Sequence, residues 1–173
     1  MERVVILGPG GAGKTELATG IARQTGLPVV HLDPLFWRHG WTPAPPAESQ
    51  RDFVAAIAGE RWILDGNFLS AVPEDARFER ADTVIFLDLP RTTCLWRVLK
   101  RLVRDRRRSG SDLPEGCAEG FDLPFQRWIW RYPRTERPRV LEILAGLDGR
   151  VDVHHLRTHS DVRRYLAALT ARP

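Results

Sequence analysis

Lysine is nearly missing from this chain. Of 26 basic residues only Lys14 and Lys100 are lysines, and the rest are arginines. Cysteine is scarce as well: Cys94 and Cys117 form neither a CxxC pair nor any metal-ligand spacing, which excludes a disulfide scaffold and a cysteine-based zinc site and fits a reducing compartment. His154 and His155 end a strand-like run and are read as packing or solvent-exposed residues, not zinc ligands. No stretch approaches the ~18 consecutive apolar residues of a membrane span. The opening RVVILG turns to glycine too soon for the apolar core of a signal peptide. A cytoplasmic protein with no membrane partner is therefore expected.

What is present suits one globular domain. The 173 residues are 43% hydrophobic and 28% charged, enough for a core without staples. The net charge of +4 favours anionic ligands, either nucleic acid or small molecules. Five apolar runs, at 3–8, 28–33, 61–66, 82–88 and 151–156, read as strands, several of them apolar on both faces as in a covered parallel sheet. Helical patterns separate them at Lys14–Gln24, Pro46–Ala58, Thr92–Arg107 and Asp161–Ala171. This alternation predicts an α/β fold, a five-stranded parallel sheet with helices on both faces. Residues 34–47, with four prolines and Phe36, Trp37 and Trp41, and residues 109–139 look irregular, as lids and binding loops often do.

Directly behind the first strand stands GPGGAGKT: Gly8, Pro9, Gly10, Gly11, Ala12, Gly13, Lys14 and Thr15, followed by Glu16. The spacing is that of a phosphate cradle. Glycines let successive backbone N–H groups turn toward phosphate oxygens, and the helix N-terminus that follows favours negative charge. Lys14 would reach the β- and γ-phosphates and the Thr15 hydroxyl would ligate Mg²⁺. A second anchor for that cation is normally a carboxylate at a neighbouring strand end. Asp33, Asp65 and Asp88 all end strands, where open α/β sheets bind ligands, and the three cannot share one job.

Together with HLDPLFWRHGW, WILDGNF, DLPRTTCLWRVLKR and FQRWIWRYPR, the loop makes the whole chain resemble the P-loop small-molecule kinases, the group of adenylate, shikimate and gluconate kinases. More closely it resembles a bacterial adenylate-kinase-like family known by the label "topology modulation". The resemblance implies strand order 2-3-1-4-5, ATP as donor and Mg²⁺ held by Thr15 and, through water, by Asp65. It implies Asp33 against an acceptor hydroxyl, an acceptor-binding segment near 34–60 and a lid over 105–137. Asp88 is expected to be structural.

The segment RTTCLWRVLKRLVRDRRR sets Leu95, Val98, Leu99 and Leu102 on one helical face and Arg97, Arg101, Arg104 and Arg108 on another. Arg97 and Arg101 match the pair that in those kinases touches ATP, and Arg127, Arg131, Arg134 and Arg137 could close from the lid's far side. Arginine pairs bidentately with phosphate, so a bound nucleotide accounts for the stripe and no nucleic-acid partner is expected. Three readings stay open: a kinase for a small hydroxyl-bearing molecule beside Asp33, which is the leading expectation, a nucleoside monophosphate kinase, or a P-loop ATPase or DNA-associated regulator with water as acceptor. For the first, Phe36, Trp37 and Trp41, with Trp128 and Trp130, would wall the pocket. For the second, Arg38, Arg77 or Arg80 would hold the acceptor phosphate. After Asp65-Gly66 the chain continues Asn67-Phe68 instead of the Pro-Arg common in adenylate-kinase-like enzymes, and Asn67 suits a hydroxyl or a base edge. A monomer or homodimer is expected.

Overall fold

The computed structural model describes residues 1–69, 74–104, 121–147 and 149–170. Its five-stranded parallel sheet contains β1 (Arg3–Leu7), β2 (Val29–His31), β3 (Trp62–Asp65), β4 (Thr83–Leu87) and β5 (Asp152–Leu156), in the order β2-β3-β1-β4-β5. That is the expected order. The three central strands have no exposed face: Val4, Ile6, Ile63 and Ile85 meet one helical layer, and Val5, Leu7, Leu64 and Phe86 meet the other. This is why their sequences show continuous apolar runs instead of alternation. The edge strand β5 is half exposed and accordingly more polar.

The helices are α1 (Lys14–Thr25), α2 (Pro46–Ile57), α3 (Glu74–Arg80), α4 (Arg91–Arg104), α5 (Leu123–Gly146) and α6 (His159–Thr170). Leu17 and Ile21 of α1, Val98 of α4 and Leu166 of α6 cover one face, and Phe53 and Ile57 of α2, Phe78 of α3 and Tyr132, Val140 and Leu144 of α5 cover the other. No helix among the described residues is long and apolar enough to cross a membrane.

Two segments correct the sequence reading. The tract 34–47 is not a plain loop: Asp33–Phe36 forms a single helical turn, and Trp37–Arg38 pairs antiparallel with Thr42–Pro43 around His39–Trp41. The second correction concerns the expected lid over 105–137. Residues 105–120 lie outside the described ones, together with Cys117 and Arg108, but Leu123–Gly146 is one helix of 24 residues with Pro133 and Pro138 inside it. A proline inside a helix removes a hydrogen bond and costs about 3 kcal/mol. Burial of Ile129, Tyr132, Val140 and Leu144, at about 2 kcal/mol each, offsets both prolines. The far side of the expected lid is thus a core helix.

Arg77 is also part of the core. Its side chain is wholly buried, lies over the Phe53 and Phe78 rings at 5.2 and 5.7 Å, and donates to the carbonyls of Asn67 (2.6 Å) and Phe68 (3.0 Å). Burial pulls its guanidinium down to about 10, which leaves it charged at neutral pH. Arg77→Met is expected to lower stability by about 3 kcal/mol in urea unfolding, since two carbonyls lose their donor. Arg80→Met should cost less than about 1 kcal/mol, because Arg80 bonds the exposed turn at Ala58 and Gly59. Equal costs would show that Arg77 does not support the 67–69 loop.

Candidate functional site

The strands end where the chemistry starts. β1 delivers the glycine loop and β3 delivers Asp65, while β2 leads through Leu32 to the turn that carries Asp33. Together with α4 and the start of α5 they enclose a cleft of about 1130 Å³. Gly10, Gly11, Gly13, Lys14, Thr15 and Glu16 form its floor. Gly11 has a positive φ of 78°, and a Cβ there would run into the Cys94 carbonyl of α4, so the loop can lie this close to α4 only with glycine. The Lys14 ammonium donates to the carbonyls of Gly8 (3.0 Å) and Pro9 (3.2 Å), which folds its stem back along the loop.

Thr15 Oγ1 donates to Asp65 Oδ2 at 2.7 Å, and His31 Nδ1 stands 3.1 Å from the same oxygen. Burial pushes the Asp65 carboxyl up, but the His31 hydrogen bond, the Lys14 charge and the Thr15 hydrogen bond outweigh it and hold Asp65 below its usual range. Asp65 therefore stays ionised. A hydroxyl and a carboxylate at this spacing are the hard oxygen donors that Mg²⁺ takes. Among the described residues no three His, Cys, Asp or Glu side chains converge into a self-sufficient metal site, so phosphate and water oxygens would complete the coordination.

Asp33 lines the same cleft but differs in character. Its carboxylate has no hydrogen-bond or ion-pair partner among the described residues. Burial raises its pKa, and Asp65 raises it further, while Lys14, His31 and Arg101 lower it; the net direction is upward. Asp33 and Asp65 are thus shifted in opposite directions, Asp33 upward and Asp65 downward.

On the α4 side, Arg97 and Arg101 both line the cleft. Arg97 donates to the Ala12 carbonyl at 3.1 Å and pairs with Glu16. Glu16 thus holds Arg97 over the loop. Lys100 and Trp96 extend this wall, which the sequence reading did not include. From α5, Phe125 and Trp128 stack at 5.8 Å, with Phe125 against Gly10. Trp128 was expected in the pocket wall, but nothing in the sequence marks Phe125 as a cleft residue; only the helix that carries it does.

Several expected residues lie elsewhere. Phe36 is buried and stacks on Phe68 at 4.3 Å, so it supports the cleft wall from behind. Trp37 lines the cleft, whereas Trp41 contacts Trp37 edge-on at 6.0 Å outside it. Arg38 bonds the Pro34 carbonyl and Glu48. Arg77 and Arg80 are engaged as described above, so none of the three arginines faces the cleft. Asn67 does line it, but Oδ1 accepts the Gly8 N–H at 2.9 Å, so this amide anchors the phosphate loop. Trp130 is exposed beneath Arg91. Asp88 accepts from Arg137 at 2.9 Å and pairs with His155 at 2.8 Å; burial opposes its charge, but these partners hold its carboxyl low. The pairing of His155 with a residue 67 positions away could not be read from its sequence neighbours. Cys94 is buried and burial pushes its thiol up to about 11, which makes it inert.

The isopentenyl transferase family model matches residues 1–37, the segment that holds β1, the glycine loop, α1 and β2. No curated protein matches the chain. Among solved structures it is similar to an unliganded sugar kinase from Janibacter sp., with TM-score 0.46 and 17% identity over 98% of this chain and 90% of that one. It is also similar to the deoxyadenosine kinase of M. mycoides with bound dATP, with TM-score 0.46 and 14% identity over 99% of this chain and 100% of the other. For the same enzyme with product nucleotides the values are 0.48 and 15%, over 98% and 99%. The five-stranded parallel sheet and the glycine loop behind its central strand are those of a P-loop α/β fold.

Proposed function

We propose that this protein is an ATP-dependent phosphotransferase that moves the γ-phosphate to a small hydroxyl-bearing acceptor. The observation that carries this reading is Asp33: an unpartnered carboxylate with a raised pKa in the cleft that also holds Lys14, Thr15 and Asp65. A group of that kind accepts a hydrogen bond from a hydroxyl and takes its proton as attack proceeds. The nucleoside monophosphate alternative needs free guanidiniums for the acceptor phosphate, and Arg38, Arg77 and Arg80 are committed to other contacts.

In this reading the loop N–H groups and Lys14 bind the β- and γ-phosphates, the ammonium exchanging its two carbonyl partners for phosphate oxygens. Arg97 and Arg101 neutralise charge that spreads over the transferred group. Thr15 and, through water, Asp65 would hold Mg²⁺, which when bound would supply neutralisation of phosphate charge. Phe125 and Trp128 exclude water at the mouth, which limits wasteful hydrolysis. Asp33 orients the acceptor hydroxyl and receives its proton.

Lys14→Ala is expected to reduce ATP-dependent transfer at least about a hundredfold while the fold survives, measured as ADP release and by circular dichroism. Transfer near the wild-type rate would remove Lys14 from the donor site. ADP release with a panel of monophosphates and hydroxyl compounds separates the acceptor classes. Stimulation by monophosphates alone would assign a nucleotide kinase, and acceptor-independent hydrolysis an ATPase.

Asp33 gives a prediction in pH. Its folded pKa lies above the ordinary 3.8, so kcat/KM should fall with acidification at a midpoint above 3.8, where the base becomes protonated. Stability runs the other way. A raised carboxyl pKa means that the fold favours the protonated form, so stability declines as pH rises from 3.8 through the folded value. Asp33→Asn should therefore melt higher than the wild type at neutral pH, lose the acid limb and transfer far more slowly, with ATP affinity little changed. Equal losses in transfer and ATP binding would move Asp33 to the donor side.

A further inference from the structure

The two ends of the cleft differ in charge. Its lysines and arginines, Lys14, Arg97, Lys100 and Arg101, all lie on the loop or on α4. Asp33, Trp37, Phe68, Trp128 and Glu136, none of them on the loop or on α4, make up another part of its wall. Helix α5 sets Glu136 in that wall. Tyr132, one turn earlier, is buried beside Asn67, and Arg139 donates to the Leu69 carbonyl at 3.4 Å, so the residue between them faces the 67–69 loop.

Glu136, like Asp33, has no hydrogen-bond or ion-pair partner among the described residues. The arginines that could neutralise this end are occupied: Arg38 with Glu48, Arg77 with two carbonyls, and Arg137 with Asp88. Arg127 and Arg131 line a shallow hollow that shares Glu136 and Trp128 with the cleft but does not reach Asp33. Two free carboxylates and three aromatic side chains face an acceptor there.

Resting on the phosphotransferase reading above, we propose that the acceptor is a hydroxyl-bearing organic cation, of amino-alcohol or amino-sugar type, with its charged nitrogen between Glu136 and the aromatic wall of Trp37, Phe68 and Trp128 and its hydroxyl toward Asp33. Aromatic faces attract a cation through the ring quadrupole, most strongly when it is desolvated, and a carboxylate adds to that attraction. An anionic acceptor would meet the like charges of Asp33 and Glu136, so the same wall disfavours it. In the transfer, the acceptor oxygen bonds to the γ-phosphorus and the bond from that phosphorus to the β,γ-bridging oxygen breaks. ADP leaves with that electron pair, and the hydroxyl proton passes to Asp33. The ammonium group keeps its proton and binds only.

The test uses the full chain with ATP and Mg²⁺ on two matched sets: glucosamine, glucose and gluconate, and choline with its uncharged carbon isostere. ADP release and the mass of the phosphorylated product give kcat/KM for each. The cation of each set is expected to exceed its neutral partner by at least about tenfold, with gluconate weakest. Glu136→Gln should bring that ratio toward one, its melting temperature reporting that the fold is intact. If a neutral or anionic compound is the best acceptor, the cation assignment is wrong and the phosphotransferase reading stands. If monophosphates are phosphorylated and no hydroxyl compound is, both fail. Absence of turnover on either cation, or an undiminished preference in Glu136→Gln, also overturns the assignment.

Discussion

One buried guanidinium holds the two halves of the cleft to each other. Arg77 donates to the carbonyls of Asn67 and Phe68, residues whose own side chains point to different tasks. Asn67 accepts the N–H of Gly8 and so ties down the entrance of the phosphate loop. Phe68, at a positive φ of 39°, stacks its ring on Phe36 in the turn that begins with Asp33. A non-glycine residue in that conformation costs of order 1 kcal/mol, and persists only where its surroundings impose it. Two charge-assisted hydrogen bonds from a residue with no exposure are such surroundings. The phosphate loop and the Asp33 turn are thus positioned by one short segment, and that segment by one side chain.

The same segment explains why the arginines divided as they did. Burying a cation is costly unless its donors are satisfied, and Arg77 meets that condition with two carbonyls and two aromatic faces, although its Nε has no partner. Arginine suits the task because its planar fork reaches two acceptors at once, which a lysine cannot do. Lysine instead appears in the loop, where a compact ammonium on a flexible stem can trade carbonyl partners for phosphate oxygens. The chain's bias against lysine therefore has a structural counterpart: fixed forks in the scaffold and α4, and a mobile point charge at the loop.

The sheet was legible because its central strands are buried on both faces, so periodicity and composition agreed, while the order 2-3-1-4-5 came from the family resemblance. The phosphate loop was legible because backbone geometry demands glycine at fixed spacing, as Gly11 against Cys94 illustrates. What could not be read were elements whose stability is tertiary. Helix α5 carries two prolines that local propensity rejects, and only burial of Ile129, Tyr132, Val140 and Leu144 sustains it. Arg77 looked like a site residue and Asp88 was expected to be structural without its partners being known, since a charged residue near a strand end or loop gives no sign of what it meets. Their partners, 10 and 67 positions away in the chain, decide it.

The divergence of the cleft's two carboxylates follows from the same geometry. Asp65 ends the strand next to β1, which sets it beside Thr15 at the first turn of α1, and β2 brings His31 to its other side. Asp33 follows β2 by two residues and lines the cleft, where no hydrogen-bond donor among the described residues reaches its carboxylate. Burial acts on both, and hydrogen bonds rescue only one. A site that needs one permanent anion to anchor a cation and one carboxylate able to exchange a proton obtains both from neighbouring strands of a single sheet. The difference lies in what each meets: hydrogen bonds from a hydroxyl and an imidazole for Asp65, and burial with only the more distant charges of Lys14, His31 and Arg101 for Asp33.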